Sequence, residues 1–242
     1  MLDRMRIVLV NTSHPGNIGS VARAMKTMGL SKLYLVNPLD FPHHKADELA
    51  AGATDILKSA VRCSSLEAAI ADCNLVVGTS ARMRTIPWPL VTPREMAEKI
   101  TAESQDAQIA IVFGREQSGL TNEELQCCHW HVQIPADSNF SSLNIAAAVQ
   151  VICYELRLAS LDKPKDEDVD WDYRLANMTE MENFFEHLQK ILIEIEFLKP
   201  SAPRKLMTRM RRLFLRTRLD VMEINMLRGM LTAIQENIQS KT

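Results

Sequence analysis

Through residue 160 the chain alternates short β-branched, apolar runs with segments of helical period, and this alternation limits the fold more than any other feature. Ile7–Val10, Leu33–Val36, a short stretch near Val61, Leu75–Gly78, Ile109–Phe113 and His129–Ile134 read as strands. Between them, Asn17–Gly29, one or two segments within Lys45–Ser59, Leu66–Ala71 and Leu143–Ser160 read as helices. Pro93 opens another helix to about Thr101, and Thr121-Asn-Glu-Glu124 is a capping box that starts a short one. The pattern predicts an α/β domain, with a mostly parallel sheet covered by helices on both faces. Residues 161–176 are acidic and contain proline, which predicts a linker. Beyond them the periodicity is helical: Met181, Phe184, Phe185, Leu188, Ile191, Leu192 and Ile195 share one apolar face. Asp220 and Glu223 cap a last helix that carries Ile224, Leu227, Leu231, Ile234 and Ile238. The organisation expected is therefore 1–160 as the α/β domain, 161–176 as linker and 177–242 as a small all-α extension.

Composition narrows the class of protein. Apolar residues at 46% and charged residues at 24% suit an ordinary globular chain, and with aromatics at 5% the core falls to Leu, Ile, Val and 13 Met. No stretch approaches the ~20 apolar residues of a membrane span, so no membrane partner is expected. Near the start only Ile7–Val10 is apolar, too short for a signal h-region. Five cysteines, two of them adjacent at Cys127 and Cys128, imply no disulfide framework and fit a reducing cytoplasm. His129 and His131 lie beside that pair, but C-x-x-C and H-x₃-H spacings are absent, so no metal is expected.

Eight glycines are few for 242 residues, and Gly16, Gly19, Gly78, Gly114 and Gly119 sit at the ends of apolar runs. In α/β proteins that is where backbone approaches a ligand, outside the carboxyl ends of strands. The ligand signatures best known there do not fit. The first loop, NTSHPGNIGS, lacks G-x-G-x-x-G, and the second strand ends in Asn37-Pro38 rather than an acidic residue. Gly114 and Gly119 have P-loop spacing, but Leu120-Thr121 replaces the lysine and its hydroxyl neighbour. The G-x-S-x-G of α/β-hydrolases is missing as well.

Three short motifs remain, in order: Asn17-Ile-Gly19-Ser-Val-Ala-Arg23 after the first strand, Gly114-Arg-Glu116-Gln-Ser-Gly119-Leu120 after the penultimate one, and Ser142-Leu143-Asn144-Ile145-Ala146 opening the last long helix of the domain. Together they resemble the SpoU/TrmH branch of the SPOUT RNA methyltransferases, over about residues 5–160. The stretches TSHPGNIGSVARAMKTMGL and FGREQSGLTNEEL, with the helical extension, are similar to the bacterial members that methylate the ribose 2′-hydroxyl of nucleotide 32 in the tRNA anticodon loop.

The resemblance implies a SPOUT-type sheet whose C-terminal part threads a trefoil knot, S-adenosyl-L-methionine as cofactor, tRNA as substrate and a homodimer with a shared site. Carried over by position, the cofactor residues are Thr79, Ser80, Ala81, Gly114, Arg115, Glu116, Ile134, Ser141, Ser142 and Leu143. Ser141 and Ser142 also read as a plain helix N-cap. The catalytic set implied is Arg23, Asn17, Glu116, Ser142 and Asn144. The family arginine is often written as the general base, but arginine side chains keep their proton below about pH 12. A bidentate guanidinium is better suited to gripping phosphate and steadying charge that develops on the 2′-oxygen. Asn17 and Asn144 also fit helix caps, and Glu116 either holds Arg23 of a second subunit or stands as an exposed loop carboxylate.

Overall charge argues against RNA, since 28 Lys and Arg face 30 Asp and Glu, but the average conceals unlike parts. Asp162 to Glu196 carries 4 basic and 11 acidic residues, whereas Phe197 to Thr242 carries 10 basic and 3 acidic. Lys205, Arg209, Arg212 and Arg216 follow 4-3-4 spacing and share one helix face, with Leu206, Met210, Leu213 and Phe214 beside it as the packing face. The basic face either contacts RNA phosphates or pairs with the acidic helix before it. Three activities stay open on the residues alone: tRNA ribose methylation, rRNA ribose methylation, and an RNA-binding dimer without methyl transfer.

Overall fold

The computed structural model describes residues 1–80, 88–103, 106–161, 173–201 and 205–240. Packing divides the chain into two units, Met1–Val169 and Asp170–Thr242.

In the first unit seven strands form one sheet: β1 (Met5–Val10), β2 (Lys32–Val36), β3 (Val61–Cys63), β4 (Leu75–Thr79), β5 (Leu90–Val91), β6 (Ile109–Phe113) and β7 (Trp130–Val132). Their order is β3-β2-β1-β6-β4-β7-β5, and every pairing is parallel. β1 and β6 are buried along their whole length, which is why Ile7–Val10 and Ile109–Phe113 read as unbroken apolar runs rather than alternating ones. The helices are α1 (Pro15–Met28), α2 (His44–Ala50), α3 (Thr54–Lys58), α4 (Leu66–Ile70), α5 (Pro93–Thr101), α6 (Asn122–Leu125) and α7 (Ile145–Leu161). Met5, Ile7 and Leu9 of β1, with Ile109, Ile111 and Phe113 of β6, pack into a single core with α1, α2, α3, α5 and α7. Arg6 points to the other face, where its guanidinium donates to the Ala69 carbonyl at 3.0 Å and to both Asp72 oxygens, tying the end of α4 to the sheet.

Among the described residues the strand reading missed β5, two residues long and too short to show a period. α7 begins at Ile145, two residues later than the periodicity suggests, because residues 135–144 run exposed before it. Gly16 and Gly19 lie inside α1 and do not approach a ligand: a Cβ on Gly19 would stand 2.1 Å from the Ala46 carbonyl oxygen of α2. They are glycine because two helices touch there.

The second unit holds α8 (Met178–Glu194), α9 (Leu206–Thr217) and α10 (Val221–Gln239). Asn177 and Asp220 cap α8 and α10 with complete capping boxes. Most of the expected linker lies outside the described residues, but Arg174–Ala176 belong to this unit. Leu175 is buried and bridges Asp220, and the Ala176 amide donates to the Leu219 carbonyl. Two packing expectations shift. Ile195 stands 44% exposed at the end of α8. Leu213 is exposed while Leu215 is fully buried, and the reason lies in Arg211. Its guanidinium sits 4.6 Å above the Phe185 ring and pairs with Glu182, so a charged residue occupies the packed face of α9 beside Phe214, which meets Phe184 edge to face.

Candidate active site at the carboxyl ends of the strands

The loop that leaves β6 closes on itself. Arg115 and Gly119 exchange two backbone hydrogen bonds, at 3.2 and 2.8 Å, so residues 116–118 form its tip. A Cβ at Gly114 would lie 2.1 Å from the Gly119 carbonyl carbon, and Gly119 adopts a left-handed φ of 69°. The Arg115 guanidinium does not reach into open space. It binds both oxygens of Glu124 at 3.0 Å, while Glu124 also receives the Thr121 amide in the capping box of α6. With the Asn11 amide oxygen turned toward it, Arg115 Nη2 also reaches that residue at 2.6 Å. The side chain braces the loop between α6 and the end of β1, and leaves the Arg115 backbone to line the cleft.

Glu116, at the loop tip, lies against the N-terminus of α1. Its carboxylate accepts from the Ser13 amide at 3.3 Å, the Ser13 hydroxyl at 3.1 Å, the His14 amide at 3.4 Å and Asn17 Nδ2 at 3.0 Å. Burial works against the charge, but the Asn17 bond and the backbone amides outweigh it and hold this carboxyl below the usual glutamate range. An anion belongs at a helix N-terminus, where N–H groups converge. Glu116 is thus not a loose loop carboxylate: the N-terminus of α1 in its own chain holds it.

Asn17 continues the network. Its Oδ1 accepts from Asn144 Nδ2 at 3.1 Å, and Asn144 Oδ1 accepts from the Ala146 amide at 2.8 Å, capping α7. The relay runs one way, from an amide that can only donate to a carboxylate that can only accept, so the orientation of both asparagine amides follows. Residues 99 and 127 positions apart along the chain are joined by two hydrogen bonds. The cap of α7 is Asn144, as the capping reading of that residue expects, rather than Ser141 or Ser142. Asn17 sits in the first turn of α1 without capping it.

Beside the relay opens a cleft walled by the ends of β4, β6 and β7 and the approach to α7. Thr79, Ser80, Gly114, Arg115, Glu116, Ile134, Ser141, Ser142 and Leu143 all line it. Thr79 Oγ1 donates to the Val112 carbonyl and the Ser80 amide to the Val132 carbonyl, each at 3.0 Å, fixing that wall. Ala81 lies outside the described residues. Arg23 is exposed on α1 and is not among the lining residues; six positions beyond Asn17, it is about 9 Å along the axis and roughly 120° around it. Ser13 and His14 went unnoticed in the sequence, although Pro15 at the first helical position marks the helix start that makes their amides available.

The cysteine and histidine group does not converge. His129 Nδ1 accepts from the Val76 amide, His131 stacks on Trp88, and burial pushes the Cys128 thiol well above its ordinary range. Among the described residues no three His, Cys, Asp or Glu side chains form a metal-holding group, and no helix is long and apolar enough to cross a membrane.

Comparison with known proteins agrees with this geometry. The sequence profile described as the SpoU rRNA Methylase family matches residues 4–154. The chain belongs to the SpoU methylase family. A second profile, the C-terminal domain of the tRNA methyltransferase TrmJ, matches residues 179–242, which hold α8, α9 and α10. The tRNA (cytidine/uridine-2'-O-)-methyltransferase TrmJ of Pectobacterium atrosepticum is 52% identical over 239 residues, 98% of each chain. Among solved structures, TrmJ from Z. mobilis ZM4 superposes with a TM-score of 0.83 at 31% identity, covering 95% of this chain and 98% of that one. A probable methylase family protein from Haemophilus influenzae Rd KW20 is 44% identical over the full length of both chains, with a TM-score of 0.65. This SpoU methylase is therefore a TrmJ-type member of its family in both of its parts.

Proposed function

We propose that the chain transfers a methyl group from S-adenosyl-L-methionine to a ribose 2′-hydroxyl of cytidine or uridine in tRNA, at nucleotide 32 of the anticodon loop. The observation that carries this reading is the relay Asn144–Asn17–Glu116, which gathers all three motifs at the rim of one cleft in a chain half identical to a tRNA ribose methyltransferase.

The cleft residues fit the cofactor. Loop backbone at Thr79, Gly114 and Glu116 lies in the cleft to meet an adenine edge, the Ser80 and Arg115 amides being committed to Val132 and Gly119, and Ile134, Val132 and Leu143 offer apolar cover for its faces. Gly114 lets that loop close against the backbone of Gly119 and Leu120. When bound, the cofactor supplies a methyl group on a sulfonium whose departure leaves a neutral thioether. Ser142 and Asn144 border the acceptor side, and the relay locks Asn144 in place. Arg23 grips the substrate phosphate and steadies negative charge as it develops on the 2′-oxygen, a task for a permanently charged, bidentate group.

Arg23 serves the cleft of a second copy in this reading, because it is absent from the lining of its own. A homodimer is supported by α7. Besides the face buried in the core, Ala147, Val151, Tyr154, Leu158 and Leu161 form a second apolar stripe at 4-3-4-3 spacing, with Tyr154 48% and Leu161 61% exposed. A trefoil knot is supported by strand order: β4 and β5 are consecutive in the chain, yet β7 lies between them in the sheet. Lys205, Arg209 and Arg216 are exposed on α9 and suited to tRNA phosphates, while Arg212 is half-buried. Pairing with the acidic helix is met by Arg211 instead. The cytoplasm, where tRNA is modified, is the location this activity requires.

Incubation with methyl-labelled cofactor and unmodified tRNA, followed by mapping of the methylated nucleotide, tests the reading. Label on the ribose of nucleotide 32 is expected. Label on a base, or in ribosomal RNA only, would overturn it, and tRNA binding without transfer would favour an RNA-binding dimer. Arg23→Lys separates the two roles of the arginine: a large loss of turnover is expected, and near-normal turnover with unchanged tRNA affinity would remove the bidentate role.

A further inference from the structure

We propose that Phe140 is a stacking platform for a base of the RNA substrate, at the target nucleotide or one beside it. The inference rests on the reading of the chain as a tRNA ribose methyltransferase and adds to it the residue that holds a base.

Phe140 is the most exposed large apolar side chain among the described residues, at 83%. The chain has only 13 aromatic Phe, Trp and Tyr residues, and others of its seven phenylalanines, Phe113, Phe184 and Phe185, are almost wholly buried. Its backbone is held rather than trailing. The Asn139 amide donates to Asp137 Oδ1 at 2.8 Å and the Phe140 amide to the Asp137 carbonyl at 3.1 Å, so a tight turn projects the residue just before Ser141–Leu143 enter the cleft wall. Phe140 itself does not line the cleft. It directly precedes Ser141, a cleft-lining residue, on the approach to α7 that the proposed function assigns to the acceptor side.

The surroundings identify the partner. A protein-docking surface presents a contiguous apolar patch, whereas this ring is flanked by Asp137, Ser138, Asn139, Ser141 and Ser142, all exposed and polar. A single flat ring among hydroxyl and amide groups matches a nucleobase, whose faces are apolar and whose edges and sugar are polar. Stacking of this kind is tolerant of base identity, as acceptance of both pyrimidines requires.

The test compares full-length Phe140→Leu, Phe140→Trp and parent protein in methyl transfer to unmodified tRNA transcripts, together with cofactor affinity by calorimetry and molecular mass by light scattering. Leucine keeps an apolar side chain but removes the ring, and tryptophan keeps a ring. Phe140→Leu is expected to lose roughly 5- to 150-fold in kcat/KM for tRNA, the range found for one stacked base. Phe140→Trp should stay within about threefold of the parent, with cofactor affinity and mass unchanged in both. Equal kcat/KM for leucine and phenylalanine would overturn the proposal, as would weakened cofactor binding or a change of mass, which would assign the ring to the cofactor or to a second subunit. If the parent transfers no methyl group to tRNA, the functional reading itself has failed, an outcome distinct from an active parent whose leucine variant is unimpaired.

Discussion

Gly114 and Gly119 stand five residues apart in one loop and are glycine for different reasons. At Gly114 a methyl group would collide with the backbone of Gly119 and Leu120, and neither can retreat while Arg115 is clamped to Glu124. At Gly119 there is room for a Cβ, and only the left-handed φ resists it. Gly114→Ala is therefore expected to displace the loop and abolish measurable cofactor binding. Gly119→Ala should bind cofactor at a cost of about 1–2 kcal/mol in stability, and calorimetric titration with thermal unfolding distinguishes the two. Glu116 yields a pH signature. In the unfolded chain its carboxyl titrates in the ordinary glutamate range, and in the folded chain lower, so its bonds contribute stability above that range and lose it as pH falls through the folded value. Glu116→Gln should be less stable than the parent by about 1–3 kcal/mol at neutral pH, and denaturation midpoints of the two proteins should converge in acid. The motif residues themselves were legible in the sequence. Their bonding was not, because Asn17 and Asn144 meet only once α1 and α7 have packed.

At the scale of elements, termini carry the information. Capping boxes at Thr121, Asn177 and Asp220 are local devices, complete within four residues, and two of them were readable directly. The cap of α7 does double duty: Asn144 Oδ1 satisfies the helix and Nδ2 holds Asn17. Asn144→Asp keeps the acceptor and removes the donor, whereas Asn144→Ala removes both. The alanine variant is expected to lose about 1 kcal/mol of stability, the aspartate variant little, and both should lose kcat toward tRNA by roughly 10²-fold if the relay sets the geometry of the reacting groups. Equal kcat for aspartate and asparagine would show that the cap alone matters. On α9 the sequence period named the wrong apolar residue, since Arg211 can lie flat on Phe185 while its edge meets Glu182. A hydrophobicity pattern counts that residue as polar and misplaces the face.

For the whole molecule the decisive surface is the second stripe of α7. Leu158→Glu places a charge within it and is expected to yield monomers in light scattering, with methyl transfer lost although cofactor still binds. A shared site further predicts complementation. Arg23→Ala and Gly114→Ala, each inactive alone, should regain about a quarter of parental activity when mixed and allowed to exchange, because half the dimers then hold one intact site. No recovery despite proven exchange would confine each site to one chain. The basic residues of α9 should show in salt dependence: reversing Lys205, Arg209 and Arg216 should weaken tRNA binding and flatten its slope against salt concentration. The net charge of −2, read as a single number, pointed away from RNA. Its division between an acidic segment and a basic tail is what matters.

Class of fold, most element boundaries and the three motifs follow from sequence alone, because strand burial, helix period and capping are set by residues within a few positions of each other. Tertiary structure alone decided that Glu116 closes the N-terminus of α1, that Gly19 serves a helix contact rather than a ligand, that Arg115 is a brace, and that Phe140 faces outward beside the cleft. Each of these depends on which distant segment arrives opposite a residue. That is fixed by the order of strands in the sheet, which no local pattern encodes.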